Sequence, residues 1–282
     1  MQSFLGYCRR NPTLGVGMVM FAMLFLFWII GPFFIDRSKA TPLSALQDLP
    51  PSAEYPLGTD TMGRQLLPVL LVGTQYTLEI GLLAGTAGLL VGIILGFAAG
   101  YFGGPLDSFM RSAADIGLTI PGLAVLVVIA SVLKEKMSPQ LMAGVIALLA
   151  WMWPTRTIRA QVLTMRERPY VEIARLSGMN DLKIIVQELL PNLLPYLAAS
   201  FVGAVSGAIM AAVGLEALGL GPQNEPTLGM TIFWCMYYGA ILRGIWWWWV
   251  PPMAAISYVF VGLFMIASGL DELANPRLRR EA

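Results

Sequence analysis

Six long stretches without a charged residue dominate the 282 residues of this chain. They cover residues 14–35, 80–106, 116–133, 137–155, 189–215 and 245–270. A helix needs about 20 predominantly apolar residues to cross the hydrocarbon core of a bilayer. Charged residues make up 12% of the chain, against about 25% in soluble proteins, which leaves too few charges to cover a water-facing surface. The stretches therefore predict an all-α membrane protein with six transmembrane helices.

The distribution of basic residues orients these helices. An even number of crossings places both termini on one side of the membrane. Cytoplasmic loops carry an excess of Lys and Arg, and twelve of the 18 such residues fall on the side of the termini. Both termini are therefore predicted to be cytoplasmic. We expect three parts: the first span and an outer loop at 1–73, a core of five spans at 74–270 that includes a cytoplasmic loop at 156–188, and a cytoplasmic tail at 271–282.

The composition removes several kinds of chemistry. The chain contains no His, which excludes Ser-His-Asp and Cys-His nucleophiles and imidazole metal sites. A nucleotide-binding P-loop needs a Gly directly before its Lys, and no Lys of this chain follows a Gly. We therefore predict no catalytic residue, no metal site and no cofactor bound by the chain itself. The net charge of +1 argues against a nucleic-acid partner.

The cytoplasmic loop contains signals for two short helices. Pro169 suits the first turn of a helix, where a missing N–H costs nothing, and Gly178 suits the left-handed position after the last turn. Asn180 is placed to cap a second helix, which leads into the fifth span at Leu190 and Pro191. By itself this pattern leaves two interpretations open. The segment is either a helix pair that fits a cleft on a soluble partner or a basic loop that only sets topology.

The same loop resembles the EAA loop of ABC-transporter permease subunits. That loop reads Glu-Ala-Ala, three residues, Gly, nine residues, an aliphatic residue, one further residue and Leu-Pro. Here residues 172–174 read Glu-Ile-Ala, Gly178 follows, and residues 190–191 read Leu-Pro at the same spacing. Two positions depart from the pattern, because Ile173 replaces the middle Ala and Glu188 stands in the aliphatic position. The resemblance favours the docking interpretation.

The resemblance extends over almost the whole chain, which is similar to the second permease of the dipeptide, oligopeptide and nickel importer family. Residues 56–64 (Pro-Leu-Gly-Thr-Asp-Thr-Met-Gly-Arg) match a signature that follows the first span in that family. Further matching segments are residues 103–121, 166–171, 218–221 and 275–277. The resemblance implies an ABC type I importer permease fold with a cytoplasmic coupling helix, in a subunit that is not an enzyme.

The resemblance also implies partners and contact sites. In such importers a second, homologous permease completes the pathway, two ATPase subunits bind ATP and Mg²⁺, and an extracytoplasmic substrate-binding protein delivers the solute. The implied location is the bilayer of a bacterial or archaeal plasma membrane (the inner membrane), and the implied cargo is an oligopeptide, with an oligosaccharide as the alternative. The implied contact with the ATPases comprises Arg166, Arg168, Tyr170, Glu172, Ile173, Ala174, Gly178, Leu190 and Pro191. The implied docking site for the binding protein, or outer gate, comprises Gly58, Asp60, Arg64, Glu216, Gly219 and Gly221.

Two other classes of membrane protein need features that the predicted spans supply poorly. An ion-coupled secondary transporter needs carboxylates or broken helices in mid-membrane. A membrane-embedded enzyme needs clustered catalytic groups at one depth. The spans offer almost no ionisable residues, which argues against both classes.

Two patterns in the spans concern packing. Gly92, Gly96 and Gly100 recur every four residues in the second span, which favours close contact with another helix. Four consecutive Trp at 246–249 open the sixth span. They point around the helix, so we predict an interfacial aromatic belt, with stacking of one or two of them on a sugar as the alternative.

Overall fold

A computed structural model describes residues 11–133 and 136–274, and in this part of the chain the secondary structure is helical apart from an isolated bridge between Thr59 and Gln65. The helices are α1 (Pro12–Phe34), α2 (Leu66–Phe102), α3 (Gly104–Thr119), α4 (Gly122–Leu133), α5 (Pro139–Ala150), α6 (Met152–Arg166), α7 (Pro169–Leu176), α8 (Asp181–Ala217), α9 (Leu228–Tyr237) and α10 (Trp246–Ala274). A short 3₁₀ turn, Arg37–Ala40, follows α1. Six of the basic residues used to orient the chain lie outside the described residues, namely Arg9, Arg10, Lys134, Arg277, Arg279 and Arg280, as does most of the predicted tail.

The described helices supply between four and six membrane spans. Four of them, α1, α2, α8 and α10, are long and apolar enough to cross a membrane alone. The other two candidates are bent pairs, α3 with α4 at 80° and α5 with α6 at 42°. Helices α4 and α5 have 12 residues each, a length of about 18 Å. Neither crosses about 30 Å of hydrocarbon without its partner in the pair.

Both bends occur at prolines. The apolar stretches at 116–133 and 137–155, each predicted as one transmembrane helix, are therefore interrupted. Ile120, which precedes Pro121, is extended with φ −82° and ψ 131°, because a following proline disfavours the α conformation. Helix α5 ends at Ala150. This is four residues before Pro154, whose ring would collide with the Ala150 carbonyl in a continuous helix.

Helix α2 begins at Leu66, well before the start at residue 80 that the charge-free stretch predicted. The prediction was wrong because Glu79 interrupts the apolar pattern without interrupting the helix. The Glu79 carboxylate accepts a hydrogen bond of 2.8 Å from Gln140 at the start of α5. The predicted division of the chain at residue 73 stays a prediction, although that residue lies inside α2.

Glycines bring α2 into close contact with its neighbours, as the four-residue repeat predicted. A Cβ on Gly92 would lie 2.5 Å from the Cβ of Pro154, and one on Gly85 would lie 2.7 Å from the Cα of Val205 in α8. Such distances leave no room for a larger side chain. These glycines therefore place α2 between the α5–α6 pair and α8, at the centre of the described bundle.

The four Trp residues at the start of α10 do not act as one belt. Trp248 is fully buried and stacks on Tyr238 with ring centroids 6.0 Å apart. Trp247 donates its indole N–H to the carbonyl of Thr59 at 3.3 Å. Trp246 is the exposed member of the run. The alternation arises because consecutive residues on a helix point in different directions, as the sequence predicted.

Candidate functional site

Helix α7, in the loop that is predicted to be cytoplasmic, begins and ends where the sequence predicted. Pro169 occupies the first helical position. After the last turn Gly178 has φ +80°, its N–H donates to the carbonyl of Arg175 at 3.0 Å, and the N–H of Met179 donates to the carbonyl of Ala174 at 3.1 Å. These two bonds form a Schellman motif, which satisfies the last carbonyls of the helix. The eight residues of α7 are therefore a helix stopped at both ends by local chemistry.

One side of α7 packs on the bundle. Val171 and Ala174 are buried in a cluster with Ile184 and Leu189 of α8 and Tyr101 of α2. Full burial of a Val side chain contributes about 1.5–3 kcal/mol. Ala174 faces inward, and its small side chain allows α7 to lie close against the bundle. Its predicted contact with a partner stays a prediction.

The opposite side of α7 is exposed and partly apolar. Ile173 is 63% exposed and Leu176 is 82% exposed. The adjoining start of α8 adds Leu182 and Val186, which are 69% and 56% exposed. We call these four residues the cytoplasmic apolar patch. Glu172 and Gly178 also lie on exposed positions of this segment, so an approaching protein would meet apolar side chains bordered by charge.

The two arginines predicted for this contact, Arg166 and Arg168, and the neighbouring Arg175 have different surroundings. The Arg166 guanidinium turns inward and donates to the carbonyl oxygens of Gly100 and Tyr101, at 3.0 Å and 3.3 Å. The Arg175 guanidinium lies over the Tyr101 ring, 5.5 Å from its centroid. Arg168, at the residue preceding α7, is exposed. Arg166 therefore satisfies carbonyl groups at the end of α2. Of the three arginines, Arg168 points to solvent without such a contact.

Tyr170, Leu190 and Pro191 complete the predicted contact set. Tyr170 is half-buried, and burial raises the pKa of its phenol above the ordinary value, with a smaller opposing effect from Arg168, so the phenol stays neutral. Leu190 packs at the edge of the buried cluster, whereas Pro191 is exposed. Both lie inside α8, which the Asn180 side chain caps by accepting a 2.8 Å hydrogen bond from the N–H of Lys183.

A π-helical segment, Ile184–Leu189, lets α8 run past the Leu-Pro pair without a break. Its last bond joins the N–H of Leu190 to the carbonyl of Ile185. This wider turn relieves the conflict that a proline creates in an α-helix. Helix α8 thus connects the cytoplasmic apolar patch directly to the membrane-spanning part of the bundle.

A cavity of about 870 Å³ lies among α4, α5, α6 and α8. Thr157, Tyr196 and Ser200 bring hydroxyl groups to its wall, and no charged residue is among the described residues that line it. A Cβ added to Gly203 or Gly207 would meet no atom within 4 Å. Small residues of α8 therefore keep one wall of the cavity open, and the wall is neutral.

The predicted outer residues Gly58, Asp60 and Arg64 stabilise the first outer loop. Nε of Arg64 lies 2.6 Å from Oδ2 of Asp60, with both side chains buried. Oδ1 of Asp60 accepts hydrogen bonds from the N–H groups of Met62 and Arg64, each at 2.9 Å. Gly58 has φ +72°, and a Cβ there would lie 2.7 Å from the Trp247 ring. This buried arrangement leaves Asp60 and Arg64 little surface for a partner.

Glu216, Gly219 and Gly221 form a second, separate arrangement at the end of α8. Glu216 is fully buried, and its side chain lies against Gly229 in the first turn of α9. A Cβ on Gly221 would lie 2.6 Å from Cγ of Glu216, and one on Gly219 would lie 2.6 Å from the Phe233 ring. The two glycines therefore allow close packing around Glu216. A gating role for any of the three stays a prediction.

Comparison with known proteins identifies the family. The family described as binding-protein-dependent transport system inner membrane component matches residues 88–280. The chain belongs to this family. The dipeptide transport system permease protein DppC of Bacillus subtilis is 31% identical over 274 residues, which cover 96% of this chain and 84% of the relative. The oligopeptide transport system permease protein OppC of Lactococcus lactis subsp. cremoris is 28% identical, with 95% and 92% covered.

A solved structure shares the fold. An inward-facing structure of the MetNI methionine ABC transporter matches with a TM-score of 0.54 at 18% sequence identity, over 76% of this chain and 98% of that chain. Together with the family match, this confirms the predicted identification as an importer permease subunit, which is not an enzyme. The chain is a multi-pass membrane component of a transport system.

Some features of this permease could not be found from the sequence. Both oxygens of Asp107 in α3 accept from Arg159 in α6, a bidentate ion pair between residues 52 positions apart. The Tyr101 hydroxyl donates to Oδ1 of Asp181 at 2.7 Å across 80 positions. No local spacing rule joins such distant residues. A charge just outside an apolar stretch, as at Asp107, or a hydroxyl near the end of one, as at Tyr101, was the available signal, and it does not name the partner.

Proposed function

We propose that this chain is one of two permease subunits of an ATP-driven importer that takes up peptides across a bacterial or archaeal plasma membrane. Membership of the binding-protein-dependent transport family carries the importer part of this proposal. The peptide cargo follows the named roles of the DppC and OppC relatives, which match nearly the whole chain. The subunit crosses the membrane six times, with each bent pair as one span, and both termini are cytoplasmic.

The structure weakens one alternative, and the family match weakens the other. An oligosaccharide cargo was suggested by the Trp run, but Trp248 is buried and Trp247 is bonded to the first outer loop. The broken helices that a secondary transporter needs are present at α3–α4 and α5–α6. However, the family match assigns the chain to a system that works with a binding protein.

The cavity is one half of the translocation pathway in this proposal. Its wall is mostly apolar, carries three hydroxyl groups and has no charged residue among the described lining residues, which suits peptides whose side chains vary. A second, homologous permease closes the open side of the cavity. The extracytoplasmic binding protein releases the peptide at the outer loops, which Asp60 and Arg64 stabilise from within.

Coupling to ATP hydrolysis occurs at α7. Two partner ATPase subunits hold ATP and Mg²⁺, and the cytoplasmic apolar patch fits into a groove on one of them. The observation that carries this step is the exposure of Ile173 and Leu176 on a helix whose other side is fixed to the bundle. An exposed apolar pair on a short, rigid helix is typical of a protein contact.

The test uses the complete transporter, purified and reconstituted with its binding protein. Ile173→Glu places a charge in the proposed contact, so we expect less ATPase subunit to co-purify with the permease and peptide uptake to fall. Gln161→Glu, at an exposed position of α6, is the matched control and should keep both. Equal ATPase content and uptake in the two variants would contradict docking through α7.

A further inference from the structure

Tyr101, near the end of α2, contacts α7 and the start of α8 at once. Its ring is buried in the same cluster as Val171 and Ala174. Its hydroxyl donates a 2.7 Å hydrogen bond to Oδ1 of Asp181, the first residue of α8. The guanidinium of Arg175 in α7 lies 5.5 Å from the ring centroid, within the range of a cation–π interaction.

The main chain at Tyr101 is also hydrogen-bonded by a side chain of α6. Arg166, the last residue of α6, donates to the carbonyl oxygens of Gly100 and Tyr101. The ends of α2 and α6, the last turn of α7 and the start of α8 therefore meet at Tyr101. A ring contact and a directional hydrogen bond together fix an angle, whereas apolar packing alone permits rotation.

We propose that Tyr101 is a positioning residue for coupling: it holds α7 in a fixed orientation on α2, so that a displacement of α7 is passed to the membrane-spanning helices. The proposal rests on the docking of α7 to the ATPase described above. From α2 the displacement reaches the cavity wall, because Gly85 of α2 lies against the backbone of α8 at Val205. Tyr101 itself contacts neither ATP nor the transported solute.

Three substitutions in the reconstituted transporter test this role. Tyr101→Phe keeps the ring and removes the hydrogen bond to Asp181, while Asp181→Asn keeps an acceptor oxygen for the Tyr101 hydroxyl. Tyr258→Phe is the control, because it also removes an inter-helix hydrogen bond, from the hydroxyl of Tyr258 in α10 to the Met20 carbonyl in α1 at 3.1 Å. The readouts are ATPase content, thermal stability, ATP hydrolysis, and peptide molecules imported per ATP hydrolysed.

We expect Tyr101→Phe to lower the number of peptides imported per ATP by about fivefold, the effect of one net hydrogen bond on an equilibrium. ATPase content should be normal, and stability should be no lower than in the Tyr258→Phe control. Asp181→Asn and Tyr258→Phe should import as many peptides per ATP as the unmodified protein. An unchanged ratio in Tyr101→Phe would overturn the proposal, as would a loss of stability and hydrolysis in proportion to uptake. If Ile173→Glu leaves the ATPase content unchanged, the docking of α7 fails instead, and this outcome is separate from the Tyr101 result.

Discussion

The buried pair of Asp60 and Arg64 gives the sharpest stability prediction. The pair joins Nε of Arg64 to Oδ2 of Asp60 at 2.6 Å, and the side chains are 7% and 0% exposed. Substitution Arg64→Met leaves a buried carboxylate without its cation, a change that costs about 3–5 kcal/mol. Two backbone N–H groups still donate to Oδ1 of Asp60. We therefore expect a cost of about 3 kcal/mol, at the lower end of that range.

The double variant with Asp60→Asn and Arg64→Met separates charge burial from packing. The amide oxygen introduced by Asp60→Asn keeps both backbone hydrogen bonds and carries no charge, so the double variant should be more stable than Arg64→Met alone. The assay is the unfolding of the detergent-purified protein followed by Trp fluorescence, with Lys39→Met at an exposed loop position as the control. If Arg64→Met unfolds like the control and peptide uptake is lost, the pair contacts a partner and our reasoning is refuted.

Three further outcomes follow from the packing and from the exposed side of α7. Gly85→Ala should lower stability by about 1–3 kcal/mol, because the new Cβ meets the α8 backbone. Gly207→Ala, with open space around the new Cβ, should not lower it. Thermal unfolding compares the two variants. Trp248→Ala should cost about 3–5 kcal/mol in the same assay, since the ring is fully buried. Glu172→Lys should separate ATP hydrolysis from peptide uptake while membrane insertion is normal. The control Gln161→Lys, at an exposed position of α6, should leave both intact; loss of insertion in Glu172→Lys would contradict this.

The sequence predicts where the apolar helices lie better than it predicts their shape. Freedom from charge marks a stretch that fits in a bilayer, but Glu79 lies within α2 without ending it. Pro121 and Pro154 predict that a helix is interrupted near them. The bend angles of 80° and 42° depend on the helices packed against those prolines, and no local pattern contains that information.

The candidate site shows the same division between local and distant causes. Pro169 and Gly178 act on their own neighbours, so they correctly predict both ends of α7. The inward turn of Arg166 depends on the end of α2, a segment 65 residues away. Likewise, Asp60 and Arg64 are charged loop residues by sequence, and their burial is set by the fold of the whole outer loop.

The central claim is that the exposed side of α7 contacts an ATPase subunit. The most direct measurement attaches a photoreactive thiol reagent to Ile173→Cys in a chain that also carries Cys8→Ser and Cys235→Ala, within the assembled transporter. Gln161→Cys, exposed on α6, is the control site. We predict that illumination cross-links position 173 to an ATPase subunit and leaves position 161 unlinked. No cross-link from position 173, or an equal yield from position 161, would contradict the account.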